Sequence, residues 1–464
     1  MVTAAVAFSP GILYFFVLDH RVATNATWYA LTEDALKNPF KAREQWVGSV
    51  KKILYGGMEK TKGAIAVVSP TESLVFLPNS FADEIRNMKE LHFGRHLIQN
   101  ALGHYQGLAP FLVVDQHDIT QEVVRLNLTR SLNIYMNTEV EAVLMNMLGN
   151  VQDWKTINPT PLIHRLVARI SSRVFLGSEL SDNAEWIGID ITYTENSMRA
   201  IYKLRSLHPI FRPIAQWWMP ALRICRQQVA KSREIVNSLA RAKKMTIDFA
   251  ELQLFLPFAT VHTTMEMIFG LMCNLIENAH WIPQIKEEIM STLSECDWKK
   301  TSLASMKLLD SAMKELQRLY KLTDVGMQRV VLSNTTLSNG TIIPKGYKLA
   351  VEHRFSDPTL YPNSKLFEAD WFLKLRDSDQ TRWQFVTRSP EHLGFGYGKH
   401  TCPGRFFASN EIKIIVVYLL VKYDWGFLEE GQLPTPFAGV EYIFNDKQKV
   451  VVKSRREEID LGCL

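Results

Sequence analysis

Apolar side chains recur at three- and four-residue intervals, with charge between them, over Asp118–Met145 and Ile163–Phe175. That spacing predicts amphipathic helices. Asp248–Ile276 differs: it is apolar almost all round, and its middle carries Ala259, Thr260, His262, Thr263 and Thr264. A helix without a polar face belongs at the centre of a fold. Pro257 removes a backbone donor there and predicts a local kink. Leu308–Tyr320 and Phe406–Tyr423 read as two further helices. Strand signals are few. Gly63–Val68 and Glu72–Phe76 predict one hairpin. Val330–Leu337 and Thr341–Pro344, joined by Ser338-Asn339-Gly340, predict another with Asn-Gly as its turn. Gln448–Lys453 predicts a late strand. The expected fold is mainly α with minor β. No repeat and no linker divides residues 19–464, which are expected to form a single large helical domain with small sheets.

Residues 1–18 carry no charged side chain, and Asp19, His20 and Arg21 follow. A run of that length sits at the lower limit for crossing a bilayer. It is read as an N-terminal membrane anchor, with a buried N-terminal segment as the alternative; a secretory signal is disfavoured because no basic segment precedes the run. Leu97–Val114 is as long but too polar to span, and Leu252–Met265 is apolar but too short.

Composition narrows the classes further. Apolar residues make up 47% of the 464 positions and charged residues 22%, which excludes disordered and low-complexity chains. The net charge is +5, with lysines and arginines scattered, so no nucleic-acid stripe is expected. The five cysteines, Cys225, Cys273, Cys296, Cys402 and Cys463, are far apart and odd in number. That excludes a disulfide framework and a cysteine-only zinc site.

The most informative stretch is Phe395-Gly396-Tyr397-Gly398-Lys399-His400-Thr401-Cys402-Pro403-Gly404-Arg405. Its glycines permit a tight loop that a planar ligand can approach. Pro403 suits the first turn of a helix, which puts Cys402 at a helix N-terminus where the dipole favours a thiolate. Such a thiolate is a metal ligand or a nucleophile, and His400 is a candidate base for the second role. The bland alternative is a glycine-rich turn around an inert cysteine. A Phe-x-x-Gly-x-x-x-Cys-x-Gly pattern is expected roughly 6 × 10⁻⁴ times by chance in a chain of this composition. Haem ligation by a cysteine thiolate accounts for the whole loop, including Phe395 against a ring.

Phe395, Gly398, Cys402 and Gly404 resemble the haem-binding signature of cytochromes P450, and the following Arg405, Phe406, Phe407 and Ala408 resemble its fungal forms. The resemblance implies a cytochrome P450-like fold around a buried haem, with Cys402 as the axial thiolate whose electron donation favours O–O cleavage. Glu315 and Arg318 fit the family's structural ExxR pair, which one helical turn brings together. Ala259, Thr263 and Thr264 fit the family's oxygen-binding helix, with Thr260 where glycine is usual and His262 where an acid is usual. His-Thr-Thr is similar to fungal terpenoid oxygenases of the gibberellin-pathway type. The resemblance gives Thr263 a part in proton delivery. His262 is expected to shuttle protons near neutral pH. Arg329 and His400 match positions that contact haem propionates, and Arg125 is the candidate third contact. One departure stands out: Trp371 occupies the place where the family carries an arginine beside the ExxR pair.

The resemblance also implies substrate contacts from Leu91–Leu112, Asn183–Trp218 and Asp324–Met327. Phe93, Val325 and Ala259 are the candidates, with Tyr105, Phe111, Trp186, Tyr193 and Trp217 suiting an apolar, rigid ligand or a core. No GxGxxG follows a predicted strand, so electrons come from a separate NADPH–cytochrome P450 reductase, with Lys399, Arg405 and Lys413 as a docking face. The expected location is the endoplasmic reticulum membrane, with the catalytic domain in the cytosol. The leading expectation is a monooxygenase acting on an apolar terpenoid-like metabolite. The alternatives are a haem-thiolate isomerase or dehydratase, a catalytically impaired P450 descendant, and a cysteine hydrolase built on Cys402 and His400.

Overall fold

The computed structural model describes residues 24–69, 73–115, 132–207, 209–243, 248–296, 298, 300–429 and most of 431–461. Arg125 and the apolar residues 1–18 lie outside the described residues.

The long helices in chain order are α1 (Pro39–Thr61), α2 (Phe93–Ala101), α3 (Leu132–Met147), α4 (Pro159–Leu176), α5 (Ala184–Ser206), α6 (Pro220–Lys243), α7 (Phe249–Glu277), α8 (Trp281–Cys296), α9 (Lys307–Leu319) and α10 (Arg405–Lys422). The central helix is α7, against which α4, α6 and α10 pack. Its start is fixed by Asp248, whose carboxylate accepts from the backbone of Ala250 at 3.1 Å and Glu251 at 3.2 Å. Arg233 of α6 then bonds Asp248 at 2.8 Å and Glu251 at 2.7 Å. The helix runs through Pro257 without a break. Among the described residues it alone is long and apolar enough to cross a membrane, so the length argument against this stretch does not hold. Burial decides instead: Leu252, Leu254, Ile268, Leu271 and Leu275 are all in the main core.

The minor β structure is divided among small sheets. The largest has the order β1-β2-β3-β9-β6-β4, with β1 (Thr27–Trp28), β2 (Ile65–Val68), β3 (Ser73–Leu77), β4 (Leu91–His92), β6 (Val325–Val331) and β9 (Lys348–Glu352); β5 (Lys155–Ile157), β7 (Thr335–Thr336) and β8 (Ile342–Ile343) lie in smaller sheets. The predicted first hairpin is β2 with β3, Ile65 opposite Phe76. The predicted second hairpin is a correction. Val330–Leu337 is two strands, because β6 ends at Val331 and pairs with β9, and only Thr335–Thr336 pairs with Ile342–Ile343. The late strand is Val450–Ser454, paired with Tyr423–Phe427.

Strand β6 carries the irregularity that matters most. Its register against β9 shifts between Gly326 and Arg329, and the buried Met327 takes a left-handed φ of 48°. A bulge of this kind re-aims the next side chain.

Candidate active site

The cysteine loop is closed by backbone bonds. The Cys402 N–H donates to the Phe395 carbonyl at 2.9 Å, and the Thr401 hydroxyl donates to the Gly398 carbonyl at 2.7 Å. Gly398 has φ 77°, and a Cβ there would stand 2.3 Å from the Arg86 carbonyl oxygen. Glycine alone fits. Phe395 packs edge-on to Phe385, 5.0 Å between ring centres. Pro403 precedes Gly404, the N-cap of α10, so it lies just before the helix rather than in its first turn.

The sulfur of Cys402 therefore sits three residues ahead of α10. Burial pushes its thiol above the ordinary range, while the backbone N–H groups of Gly404 and Arg405 and the Arg405 charge favour the thiolate. The dipole argument from sequence is outweighed here by burial. A bound cation reverses that balance, since metal ligation takes the sulfur's proton away.

Arg329 and His400 are brought together through β4. His400 Nε2 lies 3.2 Å from the Leu91 carbonyl, and His92 pairs with Val330. The next residue, Arg329, is 2% exposed; its Nη1 donates to the Gln328 carbonyl at 2.7 Å, and its Nη2 has no partner among the described residues. Its guanidinium lies over the Phe93 ring at 5.7 Å, so Phe93 is a neighbour of this cation. Burial lowers Arg329 to about 10, which leaves it charged at neutral pH. A buried guanidinium with no carboxylate paired to it among the described residues fits an anionic group of a cofactor. The thiol, this cation and the glycine loop are thus the donor set that a haem requires.

On α7, Ala259 and Thr263 are exposed although the helix is otherwise mostly buried, and Thr260 and His262 are half-buried. One face of a core helix is therefore open. The Thr263 hydroxyl donates to the Ala259 carbonyl at 3.1 Å, and Thr260 donates to the Leu256 carbonyl at 3.0 Å. Thr264 is buried and lies near Glu411 of α10, a fully buried carboxyl that accepts from the Ser171 hydroxyl at 3.3 Å and whose pKa burial pushes well above the ordinary range. His262 is pushed down to about 4, mainly by burial and then by nearby His164. Burial thus disfavours the charged ring near pH 7, and a proton passed by His262 there moves through the neutral form.

Glu315 and Arg318 form a buried bidentate pair at 2.6 and 2.8 Å. Arg318 also donates to the carbonyls of Phe355, Ser364 and Leu366 and lies 4.8 Å over the Tyr361 ring. These contacts take the place of the absent meander arginine. Asp370 does not; it pairs with Lys374 at 2.9 Å. The Trp371 indole N–H is buried beside this node without a partner among the described residues.

Several expected site residues have other surroundings. Val325 packs with Ile65 and Phe76 in a cluster against α1, which accounts for it without a ligand. Trp186 and Tyr193 are core residues, their polar ends bonded to Ser172 at 3.1 Å and to the Gly107 carbonyl at 2.9 Å. Phe111 is core as well, edge-on to Phe258 of α7 at 4.5 Å. Lys413 is not on a docking face: it is buried, bonding the Leu303 carbonyl at 2.8 Å and Asp310 at 2.9 Å. Lys399 is exposed, and Arg405 folds back onto the Cys402 carbonyl at 3.0 Å. Sequence reasoning missed His96, His164 and Glu411. Each is a buried polar residue within a helix, and no spacing signal marks it.

A single helical domain with small sheets, a glycine-pinched cysteine ahead of α10 and a buried ExxR pair define a haem-thiolate class of protein. Residues 250–453 match the family model described as Cytochrome P450. The chain is 32% identical over 455 residues to cytochrome P450 monooxygenase hepE of Aspergillus oryzae, covering 89% of this chain and 83% of that protein. It is 32% identical over 430 residues to cytochrome P450 monooxygenase 1 of Gibberella fujikuroi, covering 85% and 98%. The fold matches the cytochrome P450DA heme domain with a TM-score of 0.72 at 14% identity, covering 93% of this chain and 97% of that one. It also matches cyanobacterial CYP120A1 bound to retinoic acid, with a TM-score of 0.65 at 16% identity over 89% and 96%. The chain belongs to the cytochrome P450 family and is an oxidoreductase of its monooxygenase class.

Proposed function

We propose that the protein places one oxygen atom from O2 into an apolar, terpenoid-like metabolite and reduces the other to water. The observation that carries this reading is Cys402, held in the Gly398-pinched loop with two backbone N–H groups favouring its thiolate. In this reading Cys402 would hold the haem iron, Arg329 and His400 would neutralise its carboxylates, Phe395 would pack with the ring, and Gly398 and Gly404 would let the loop approach. Arg125 is assigned to the same carboxylates on the resemblance alone. When bound, haem supplies an iron centre that activates dioxygen with delivered electrons. Ala259 borders the substrate space, and the Thr263 hydroxyl, whose proton goes to its own helix, leaves its lone pairs toward that space to hold a water or pass a proton. Thr264 and Glu411 brace the helix from behind.

The electrons come from NADPH–cytochrome P450 reductase, and the site of action is the endoplasmic reticulum membrane. An exposed apolar run between α5 and α6 supports membrane contact: Ile210, Phe211, Ile214, Trp217 and Trp218, the last 74% exposed. The test is the difference spectrum of reduced protein with carbon monoxide, run beside Cys402→Ala. A red-shifted Soret band present only in the parent supports thiolate ligation by Cys402. Folded parent protein without that band overturns the reading. NADPH-dependent oxygen consumption with added reductase then separates it from a haem-thiolate isomerase, which needs no electrons.

A further inference from the structure

His164 lies on α4, which packs along α7. Its ring meets that of His262 edge-on, 5.5 Å between centres with the planes at 84°. His164 is 8% exposed, and its Nε2 has no partner among the described residues. A buried, unpaired ring nitrogen is costly, and a phenylalanine would fill the same space without that cost. Two imidazoles joined N–H to N have ring centres roughly 5 Å apart by ordinary hydrogen-bond lengths. The observed 5.5 Å is close to that separation. Among the described residues no carboxylate pairs with either ring.

Resting on the monooxygenase reading, we propose that His164 is a positioning residue for His262, the two forming a neutral proton-relay pair behind the open face of α7. One nitrogen of His262 releases its proton toward the space that Thr263 borders, while its other nitrogen takes a proton from His164. Solvent returns a proton to His164. Only N–H bonds break and form, no electron moves, and the net change is one proton carried from solvent to the acceptor beside Thr263. Burial depresses the pKa of both rings, so a relay that never accumulates a full charge is the one that this site favours.

The test uses holoprotein, first shown to give the thiolate carbon monoxide band. Two variants separate chemistry from packing. His164→Phe keeps an aromatic edge against His262 and removes the nitrogens; His164→Gln loses the ring and keeps an N–H donor. Nitrogen-15 NMR of labelled histidines in the reduced, carbon monoxide-bound state reads the His262 tautomer. The relay predicts that His164→Phe shifts the His262 ring nitrogens and that His164→Gln leaves them near the parent values. With reductase and NADPH but no added substrate, both variants are expected to raise peroxide release toward one per NADPH, since an amide donates an N–H but cannot hand a proton on. Parent-like behaviour of His164→Phe in either measurement, or parent-like peroxide release by His164→Gln, overturns the pair. Absence of the carbon monoxide band from the parent protein counts instead against the monooxygenase reading.

Discussion

The Arg86 carbonyl oxygen and Gly398 are in such close contact that no side chain fits between them: an added Cβ would stand 2.3 Å from that oxygen. The Lys399 N–H donates to the same carbonyl at 3.1 Å, so the loop is tied to the segment that leads into β4. Gly398→Ala is expected to cost at least about 1–2 kcal/mol from its left-handed backbone alone. It should also displace Cys402 and remove the thiolate band. A urea unfolding curve and the carbon monoxide spectrum check both; an unshifted curve with a full band contradicts the contact.

The buried Glu315–Arg318 pair also fastens three carbonyls of the 355–366 segment. Arg318→Ala leaves a buried carboxylate behind and is expected to cost about 3–5 kcal/mol. Arg318→Lys should be nearly as damaging, since an ammonium cannot reproduce the fork. Haem content after purification and the unfolding midpoint are the readouts, and a parent-like Lys variant would refute the bidentate role.

Thr263 and Thr264 are neighbours with opposite surroundings, one exposed and one buried near Glu411. Thr263→Ala should leave stability within about 0.5 kcal/mol of the parent, as exposed substitutions do. Its turnover is expected to lose product to peroxide, by about 10²-fold if it takes part in proton transfer. Thr264→Val should lower stability by about 1–3 kcal/mol, because it removes a buried hydroxyl beside the buried Glu411 carboxyl. Swapped outcomes would reverse the assignment of the two faces.

Stability should fall in mild acid. Burial pushes His96 and His353 down to about 3 from an ordinary 6.5, with Lys348 and Lys321 adding to the respective shifts. Above pH 6.5 both rings are neutral folded or unfolded, and their contribution is fully present. Below it the unfolded chain takes up protons that the folded one refuses, so stability drops as the pH falls toward 3. The slope is about 1.4 kcal/mol per pH unit for each ring. Urea midpoints at pH 7, 6 and 5 measure it, and a flat profile would show these rings protonated in the folded state.

Where the sequence pattern was regular, it was readable. The β2–β3 hairpin, the apolar α7 and the glycine-cysteine loop all rest on local spacing, and they lie where spacing put them. Lys413 was misread because a lysine within Glu411–Leu420 looks like a solvated break in an apolar face. Its amine instead reaches the distant Leu303 carbonyl and Asp310. Val330–Leu337 was misread because β-branched residues continue past Val331, while the chain turns at Leu332, whose N–H donates to the Glu90 carbonyl at 2.7 Å. His164 was illegible for a related reason: its significance is a neighbour 98 positions away on another helix, at His262.

The parallel pairing of β3 with β9 sets Leu74 beside Lys348 and Leu77 beside Val351. During biosynthesis the first hairpin therefore waits for some 270 further residues before its open edge is covered, roughly 15–60 s at ordinary translation rates. Over that interval Leu74, Val75, Phe76 and Leu77 present an apolar, hydrogen-bond-ready edge to any other nascent chain. Production of this protein should accordingly depend on chaperones that shield strand edges, and chains cut short before residue 348 should aggregate even with the hairpin intact.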